Sequence, residues 1–382
     1  MSLSLGPREA LATLRVLSRG DLARYSTTRT SETTKFEREL SVVFDSPYAL
    51  GVNSGTSALI CALVAAGVGP GDEVLVPAYT WVSSAAAPLA VGAIPVLVEI
   101  DESLTIDPID AERKVTDRTK AIIPVHMLNL VCDMAAITAL AKRHDLVVVE
   151  DACQAIGVRY RGRPTGTIGD AGVYSFNQQK NIKCGEGGAM VTSSAVLHQR
   201  AGMYHDVGSY ERVGHEAAEG TLFPGINARM PELSAAILRP QLRRLDRQIA
   251  LRQRRRRMVL DHVADIPGLS VTVSHHHAPD EAVGIGLRFD DPDEAARFGA
   301  TRGARRLSDT GRHVYTNWKS VTGMHSHHPD RDPYKWSDAV YDYSESACPR
   351  TLEILSLSCT VETAPELPGP VFRSILKRLG AS

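Results

Sequence analysis

Residues 146–154, LVVVEDACQ, join a run of β-branched apolar residues to an acidic end. A continuous apolar run of this length predicts a strand buried on both faces, which is typical of parallel sheets. Asp151 and Gln154 follow the run. The sequence therefore predicts that these two side chains lie at the carboxyl end of a central strand.

The neighbouring sequence repeats this pattern. Further apolar runs, separated by helix-forming segments, are ALGVN at 49–53, EVLVP at 73–77, IPVLV at 94–98 and AIIPV at 121–125. Strands that alternate with helices predict an α/β fold, with helices on both faces of a mostly parallel sheet. Ligands bind at the carboxyl ends of the strands in such sheets. We therefore expect a site near residues 53–57, 77–81, 126 and 151.

The length of the chain predicts two domains. It has 382 residues, more than one compact core usually holds, and we expect a large domain at 1–245 and a smaller one at 246–382. Residues 231–257 predict a long helix between them that Pro240 kinks or breaks. Residues 370–379 predict a closing helix.

Composition and charge exclude several classes of protein. The chain is 43% hydrophobic and 23% charged with a net charge of −1, so no overall field attracts nucleic acid or an anionic membrane. It lacks an apolar run of membrane-spanning length and a secretion signal, which predicts a cytoplasmic protein. The six scattered cysteines predict reduced thiols, and the arginines at 254–257 predict a solvated helix face.

Residues 53–57, NSGTS, lie where a predicted strand ends and a helix begins. Free amides and the helix dipole make such a corner suitable for an anion, and Thr56 and Ser57 add hydroxyl groups. Capping of the helix by a hydroxyl is the alternative interpretation.

An acid and a lysine complete the candidate chemistry. Asp151 needs a cationic partner if it is buried, although it could also cap a helix. Lys180 lies in SFNQQKNIKCGEGG at 175–188, before a glycine-rich turn that lets backbone approach a ligand. Most lysines are solvated, and Lys183 is the rival within the same segment.

These pieces together resemble a known family. SGTSAL at 54–59, the aromatic Trp81 after Thr80, EDACQ at 150–154, SFNQQK with GEGG at 175–188, and NARMPE at 227–232 resemble the DegT/DnrJ/EryC1/StrS aminotransferases over roughly residues 35–250. Members are fold-type-I enzymes, similar in fold to aspartate aminotransferase, that use pyridoxal 5′-phosphate to aminate keto-sugars and keto-cyclitols. The resemblance implies a large domain with a mostly parallel sheet and a smaller C-terminal α+β domain.

The resemblance also implies roles for individual residues. Lys180 would form an imine with the cofactor, and Asp151 would keep its pyridine nitrogen protonated. Gln154 would lie near the phenolic oxygen, and Trp81 would stack on the ring. The phosphate would be held by Thr56, Ser57, Ser175 and, from the partner subunit of a homodimer, Asn227.

The expected reaction moves an amino group from glutamine or glutamate to a keto-cyclitol or keto-sugar in secondary metabolism. The loop at 124–134 and CPRT at 348–351 resemble the branch that contains scyllo-inosose aminotransferases and 3-amino-5-hydroxybenzoate synthase. The candidates for substrate binding are His126, Tyr204, His205, Arg229, Tyr315 and Asn317.

Two alternatives stay open at this point. One is a dehydrating, aromatising synthase of the 3-amino-5-hydroxybenzoate type, and the other is a catalytically idle homologue that serves as a partner protein. The presence of Lys180 favours amine transfer over the dehydration performed by some relatives of the family, which carry histidine at that position. The histidines at 275–277 and at 325, 327 and 328 are not expected to bind a metal.

Overall fold

The computed structural model describes residues 5–25, 31–209, 222–275 and 281–379. The strands are β1 Tyr48–Val52, β2 Glu73–Pro77, β3 Ile94–Val98, β4 Thr119–Ile122, β5 Val147–Asp151, β6 Arg159–Tyr160, β7 Arg163–Pro164, β8 Ala171–Ser175, β9 Gly188–Thr192, β10 Leu269–Val271, β11 Leu287–Phe289, β12 Ala304–Arg306 and β13 Ser358–Val361. The α-helices are α1 Pro7–Arg19, α2 Glu32–Phe44, α3 Gly55–Ala65, α4 Ser83–Ala90, α5 Pro108–Arg113, α6 Met134–His144, α7 Ala195–His205, α8 Glu232–Leu242, α9 Leu245–Val263, α10 Pro292–Gly299, α11 Lys319–Thr322, α12 Pro349–Leu357 and α13 Gly369–Leu379.

A seven-stranded sheet forms the centre of the fold. Its strand order is β1-β9-β8-β5-β4-β2-β3. The strands from β8 to β3 pair in parallel, whereas β9 runs antiparallel to both β8 and β1. The predicted, mostly parallel sheet is confirmed, and the carboxyl ends of β2, β4, β5 and β8 meet at one edge.

Two apolar clusters cover the two faces of this sheet. Successive residues of β5 divide between them, with Val148 in the cluster that contains α2, α6 and α8 and Val149 in the cluster that contains α3, α4 and α7. This alternation follows from the two-residue period of a strand. Because both faces are buried, β5 contains no polar residue before Glu150 and Asp151.

The C-terminal part contains a second sheet. Its antiparallel order is β10-β11-β13-β12, and helices α9, α10 and α13 pack on it around a separate apolar cluster. The predicted closing helix is confirmed as α13. Residues 315–348 contribute Tyr315, Trp318 and Tyr343 to the α3 side of the large sheet. The boundary between residues 245 and 246 stays a prediction.

The predicted helix at 231–257 is divided into α8 and α9. The break falls at Arg243 and Arg244, within one turn of Pro240, which lies inside α8. The prediction of a solvated arginine face on α9 is wrong for two residues. Arg255 donates to the carbonyl of Leu367 at 2.7 Å and Arg256 to that of Gly284 at 3.0 Å, so both guanidinium groups hold neighbouring backbone and are buried.

No helix within the described ranges is both long enough and apolar enough to cross a membrane.

Candidate active site

The N-terminus of α3 forms the first part of the candidate site. Ser54 caps the helix, since its Oγ accepts the amide of Ser57 at 3.0 Å. The interpretation that a hydroxyl caps the helix is therefore correct, and the capping residue is Ser54. The amides of Gly55 and Thr56 precede the first intrahelical bond, and the hydroxyls of Thr56 and Ser57 lie on the same turn.

Glycine brings this helix end against the ends of β8 and β9. A Cβ on Gly55 would lie 2.7 Å from Cβ of Ser175 and 3.0 Å from Sγ of Cys153. A Cβ on Gly188 would lie 2.3 Å from the carbonyl carbon of Ser54. Neither position accommodates a side chain. The glycines thus allow the hydroxyl of Ser175 to lie close to the free amides of α3.

Asp151 ends β5 as a buried carboxylate that is 4% exposed. Its Oδ2 accepts the hydroxyl of Ser84 at 2.8 Å, and its Oδ1 accepts the amide of Cys153 at 3.1 Å. No helix follows it, so the alternative that Asp151 caps a helix is wrong. Among the described residues it has no cationic partner, which makes it a buried charge that requires one.

The structure separates the two candidate lysines. Nζ of Lys183 forms an ion pair with Oε1 of Glu366 at 2.9 Å and is buried by the C-terminal segment. Lys180 is half-buried and has no carboxylate partner in the part of the chain that the structure describes.

The thiol of Cys153 is influenced by the charges of both Asp151 and Lys180. Burial is the largest influence on this thiol and raises its pKa well above the ordinary value. The Asp151 carboxylate raises the pKa further, whereas the positive charge of Lys180 lowers it. Both charges therefore act on the same thiol, so the acid and the lysine lie near each other at the edge of the sheet.

Trp81 and a histidine that the sequence did not indicate form another side of this region. The rings of Trp81 and His313 lie 5.2 Å apart between centroids, and Cζ of Arg312 lies 4.5 Å above the indole. The amide of Thr80 donates to the carbonyl of His313 at 3.0 Å, which fixes residue 313 beside the end of β2.

The environment of His313 keeps its imidazole neutral. Burial lowers its pKa below the ordinary value, and the positive charge of Lys180 contributes to the decrease. Nδ1 bonds to the carbonyl of Thr310 at 3.0 Å and therefore carries the proton. Nε2 is then the acceptor nitrogen, and it has no partner among the described residues. No motif marks His313; its only signal is its position two residues before Tyr315.

Three of the substrate-binding candidates are corrected, because their side chains are fully buried and already bonded within the protein. His126 bonds to Oε2 of Glu150 at 3.0 Å and accepts the amide of Cys132 at 3.2 Å. His205 bonds to Tyr25 at 3.0 Å and to a backbone carbonyl of its own helix. The hydroxyl of Tyr315 donates to two backbone carbonyls at 2.9 and 3.0 Å.

The remaining candidates keep some exposed surface. Gln154 accepts the amide of Leu128 at 3.2 Å through Oε1. Arg229 pairs with buried Asp206, and half-buried Tyr204 packs against the α3 cluster. Asn227 and Asn317 are exposed. The roles predicted for these five residues stay predictions.

The first of the two histidine-rich segments is only partly described. His276 and His277 lie outside the described residues, and His325, His327 and His328 are exposed. Within the described ranges, no three histidine, cysteine, aspartate or glutamate side chains converge in a way that could hold a metal ion.

Comparison with known proteins places the fold and the motifs in one family. The model of the DegT/DnrJ/EryC1/StrS aminotransferase family matches residues 14–294. A dTDP-3-amino-3,4,6-trideoxy-alpha-D-glucose transaminase of Streptomyces venezuelae is 42% identical over 64% of this chain and 63% of its own length. An L-glutamine:scyllo-inosose aminotransferase of Streptomyces griseus is 41% identical over 60% of this chain and 56% of its own. The chain thus spans about three fifths of these curated relatives.

A solved structure extends the likeness to nearly the whole chain. The S. venezuelae enzyme DesV, in complex with a ketimine intermediate, is similar with a TM-score of 0.79 and 32% identity, over 98% of this chain and 93% of its own. The fold class and the family that the sequence motifs indicated are both confirmed. The chain belongs to the DegT/DnrJ/EryC1/StrS aminotransferase family.

Proposed function

We propose that this chain transfers an amino group from glutamine or glutamate to a keto-cyclitol or keto-sugar of secondary metabolism. The family supports the reaction class, and the relatives that act on an amino sugar and on scyllo-inosose support these acceptors. One observation carries the proposal: Asp151 is a buried carboxylate without a cationic partner among the described residues, and it lies at the carboxyl end of β5, close enough to Lys180 for both charges to influence Cys153. The intact pair argues against an idle partner protein, and Lys180 argues against the dehydration performed by relatives that carry histidine at that position.

Pyridoxal phosphate is the cofactor of this chain, and the residues present fit it. The Asp151 carboxylate matches a protonated pyridine nitrogen, and the amides of Gly55 and Thr56 match a phosphate. When bound, the cofactor supplies an electron sink for the carbanion formed at the substrate carbon.

The side chains of this site divide the work of binding and proton transfer. Lys180 would hold the cofactor through its Nζ and, once released, would accept the α-proton of the amino donor at Nζ and later give that proton back. Asp151 keeps the ring nitrogen protonated through its negative charge. Trp81 would cover the ring face, and Gln154 would lie near the phenolic oxygen.

The proposed phosphate site includes residues of two chains, so the proposal includes a homodimer. Thr56, Ser57 and Ser175 hold the phosphate within one chain, and Asn227 reaches the site of the partner subunit. The exposure of Asn227 supports this role. Sedimentation that returns only the 41.4 kDa chain at micromolar concentration would contradict the dimer. The six free cysteines support a reducing compartment, the cytosol.

A spectroscopic donor screen tests the reaction. Glutamine or glutamate, added to the cofactor-loaded protein without acceptor, is expected to convert the visible band of the cofactor to the pyridoxamine form. Addition of a keto-cyclitol or a nucleotide-linked keto-sugar is expected to restore the band and to yield an amine detectable by mass spectrometry. An unchanged band with every donor, and no amine from either class of ketone, would refute the proposal.

His313 is expected to contribute to acceptor binding. Its neutral Nε2, next to Lys180 and Trp81, can accept a hydrogen bond from a hydroxyl of the ketone. His313→Phe is expected to raise the KM for the acceptor about fivefold, the cost of one neutral hydrogen bond, without slowing the reaction with the donor alone. As the pH falls through the lowered pKa, protonation of His313 is expected to raise the acceptor KM of the native enzyme as well.

Steady-state kinetics with varied acceptor, between pH 5 and 8, measures both effects. The exposed His327 provides the matched control, and His327→Phe is expected to leave the KM unchanged. If His313→Phe keeps the native KM and pH profile, His313 does not bind the acceptor.

A further inference from the structure

Two buried hydroxyl groups, those of Thr80 and Ser84, form a chain of hydrogen bonds that ends at Asp151. Oγ of Ser84 lies 2.8 Å from Oδ2 of Asp151 and 2.9 Å from Oγ1 of Thr80. Both Thr80 and Ser84 are 0% exposed. Neither residue belongs to the set that the family resemblance assigns to the cofactor or to the substrate.

The direction of these hydrogen bonds follows from proton counting. An ionised carboxylate only accepts, so the single hydroxyl proton of Ser84 goes to Asp151. Ser84 then has only lone pairs to offer Thr80, and the Thr80 hydroxyl must donate to Ser84. Hydrogen bonds arranged in one direction polarise each other, which strengthens the bond that reaches the carboxylate.

We infer that Thr80 and Ser84 are positioning residues, a directed pair of hydroxyl groups that holds the Asp151 carboxylate in the correct orientation for the ring nitrogen of the cofactor. The inference rests on the proposed function, because the proposed function identifies the ring nitrogen of the cofactor as the cation that pairs with Asp151.

The surroundings of the carboxylate show why two such residues are needed. The amide of Cys153 fixes Oδ1 and the Ser84 hydroxyl fixes Oδ2, so neither oxygen is free to rotate. Ser84 lies in the first turn of α4, and the amide of Thr80 is bonded to the carbonyl of His313. The donor groups therefore belong to backbone that is itself fixed. The acid is oriented before the cofactor arrives, which reduces the reorganisation required on binding.

The first test removes the hydroxyl of Ser84 and measures cofactor binding rather than turnover. For Ser84→Ala we expect the Kd of pyridoxal phosphate for the apo protein, followed by quenching of tryptophan fluorescence, to rise about tenfold. We also expect the pH midpoint of the visible cofactor band to move upward by roughly half a unit. Without its donor the carboxylate is no longer held in line with the ring nitrogen, so it stabilises the positive charge of the ring less well and weakens the electron withdrawal of the ring.

Further variants separate positioning by the pair of hydroxyl groups from a packing role. Ser84→Thr restores a hydroxyl and is expected to restore both the Kd and the pH midpoint. Thr80→Val has nearly the shape of the native residue and is expected to shift both quantities in the same direction as Ser84→Ala, by a smaller amount. Ser358→Ala, which removes a buried hydroxyl in the C-terminal sheet, is the matched control and should change neither.

The outcomes distinguish the inference from the proposed function. A native protein that does not bind pyridoxal phosphate would refute the proposed function. If the native protein binds pyridoxal phosphate, but Ser84→Ala and Thr80→Val both keep the native Kd and pH midpoint, the inference about Thr80 and Ser84 is wrong and the proposed function still stands.

Discussion

Lys180→Ala is expected to abolish turnover, with a loss of roughly four orders of magnitude or more, and to remove the absorption band of the covalently held cofactor. Both effects have one cause, since Nζ of Lys180 provides the covalent attachment and also transfers the proton. Among the described residues no other amine lies in this region unpaired, because Lys183 is engaged by Glu366. Absorbance spectra and single-turnover rates with the donor measure the two effects separately.

Lys183→Ala is the matched control for this prediction. It removes a lysine three residues along the chain whose amine bonds to Glu366, and it is expected to keep both the absorption band and turnover. If the Lys180→Ala variant turns over normally, the assignment of Lys180 is wrong. The assignment is also wrong if the absorption band is lost only in the Lys183→Ala variant.

The sequence is sufficient for five strands of the large sheet, β1 to β5, because burial on both faces leaves a clear pattern. The runs at 73–77 and 94–98 coincide with β2 and β3. β4 begins two residues before its predicted start and ends at Ile122, ahead of Pro124, which has no amide to donate to a neighbouring strand. The apolar pattern determines which segments enter the sheet, but hydrogen bonding determines where each segment ends.

The sequence was less informative about side chains at the edge of the sheet. A polar residue after a strand can face the ligand or turn inward to a buried partner, and that partner is remote in sequence. His126 turns inward to Glu150, which also accepts the amides of Gly166 and Gly169. Asp151, the next residue after Glu150, faces the opposite side of the strand because side chains alternate.

The same limitation explains why the sequence alone does not indicate His313 as a site residue. Its position depends on backbone bonds between residues 313–315 and 78–80, which join segments more than 230 residues apart. Local sequence carries no trace of such a pairing. The burial of Arg255 and Arg256 on α9 is not predictable from the sequence for a similar reason, because the carbonyl groups that accept their hydrogen bonds belong to distant loops.

Asp151→Asn is expected to reduce kcat by roughly a thousandfold while leaving the protein folded. The substitution keeps the shape of the side chain but removes the negative charge that holds the ring nitrogen protonated. Its amide oxygen can still accept the Cys153 amide, and its NH2 group can donate to Ser84, which then turns its own proton toward Thr80. The bond from the Cys153 amide is therefore retained, the bond with Ser84 is retained in the reverse direction, and the loss is expected to be electrostatic.

Thermal unfolding of the apo protein distinguishes this loss from damage to the fold. In the native apo protein Asp151 is a buried charge with no cationic partner among the described residues, so its neutral isostere should not lower the melting temperature. The stabilisation that added pyridoxal phosphate gives the native protein should be smaller in the variant, because the ion pair between ring and acid cannot form. Asp151→Glu, which keeps the charge but displaces it, should recover part of the rate. A variant Asp151→Asn within tenfold of native kcat would show that the ring nitrogen is stabilised by another group.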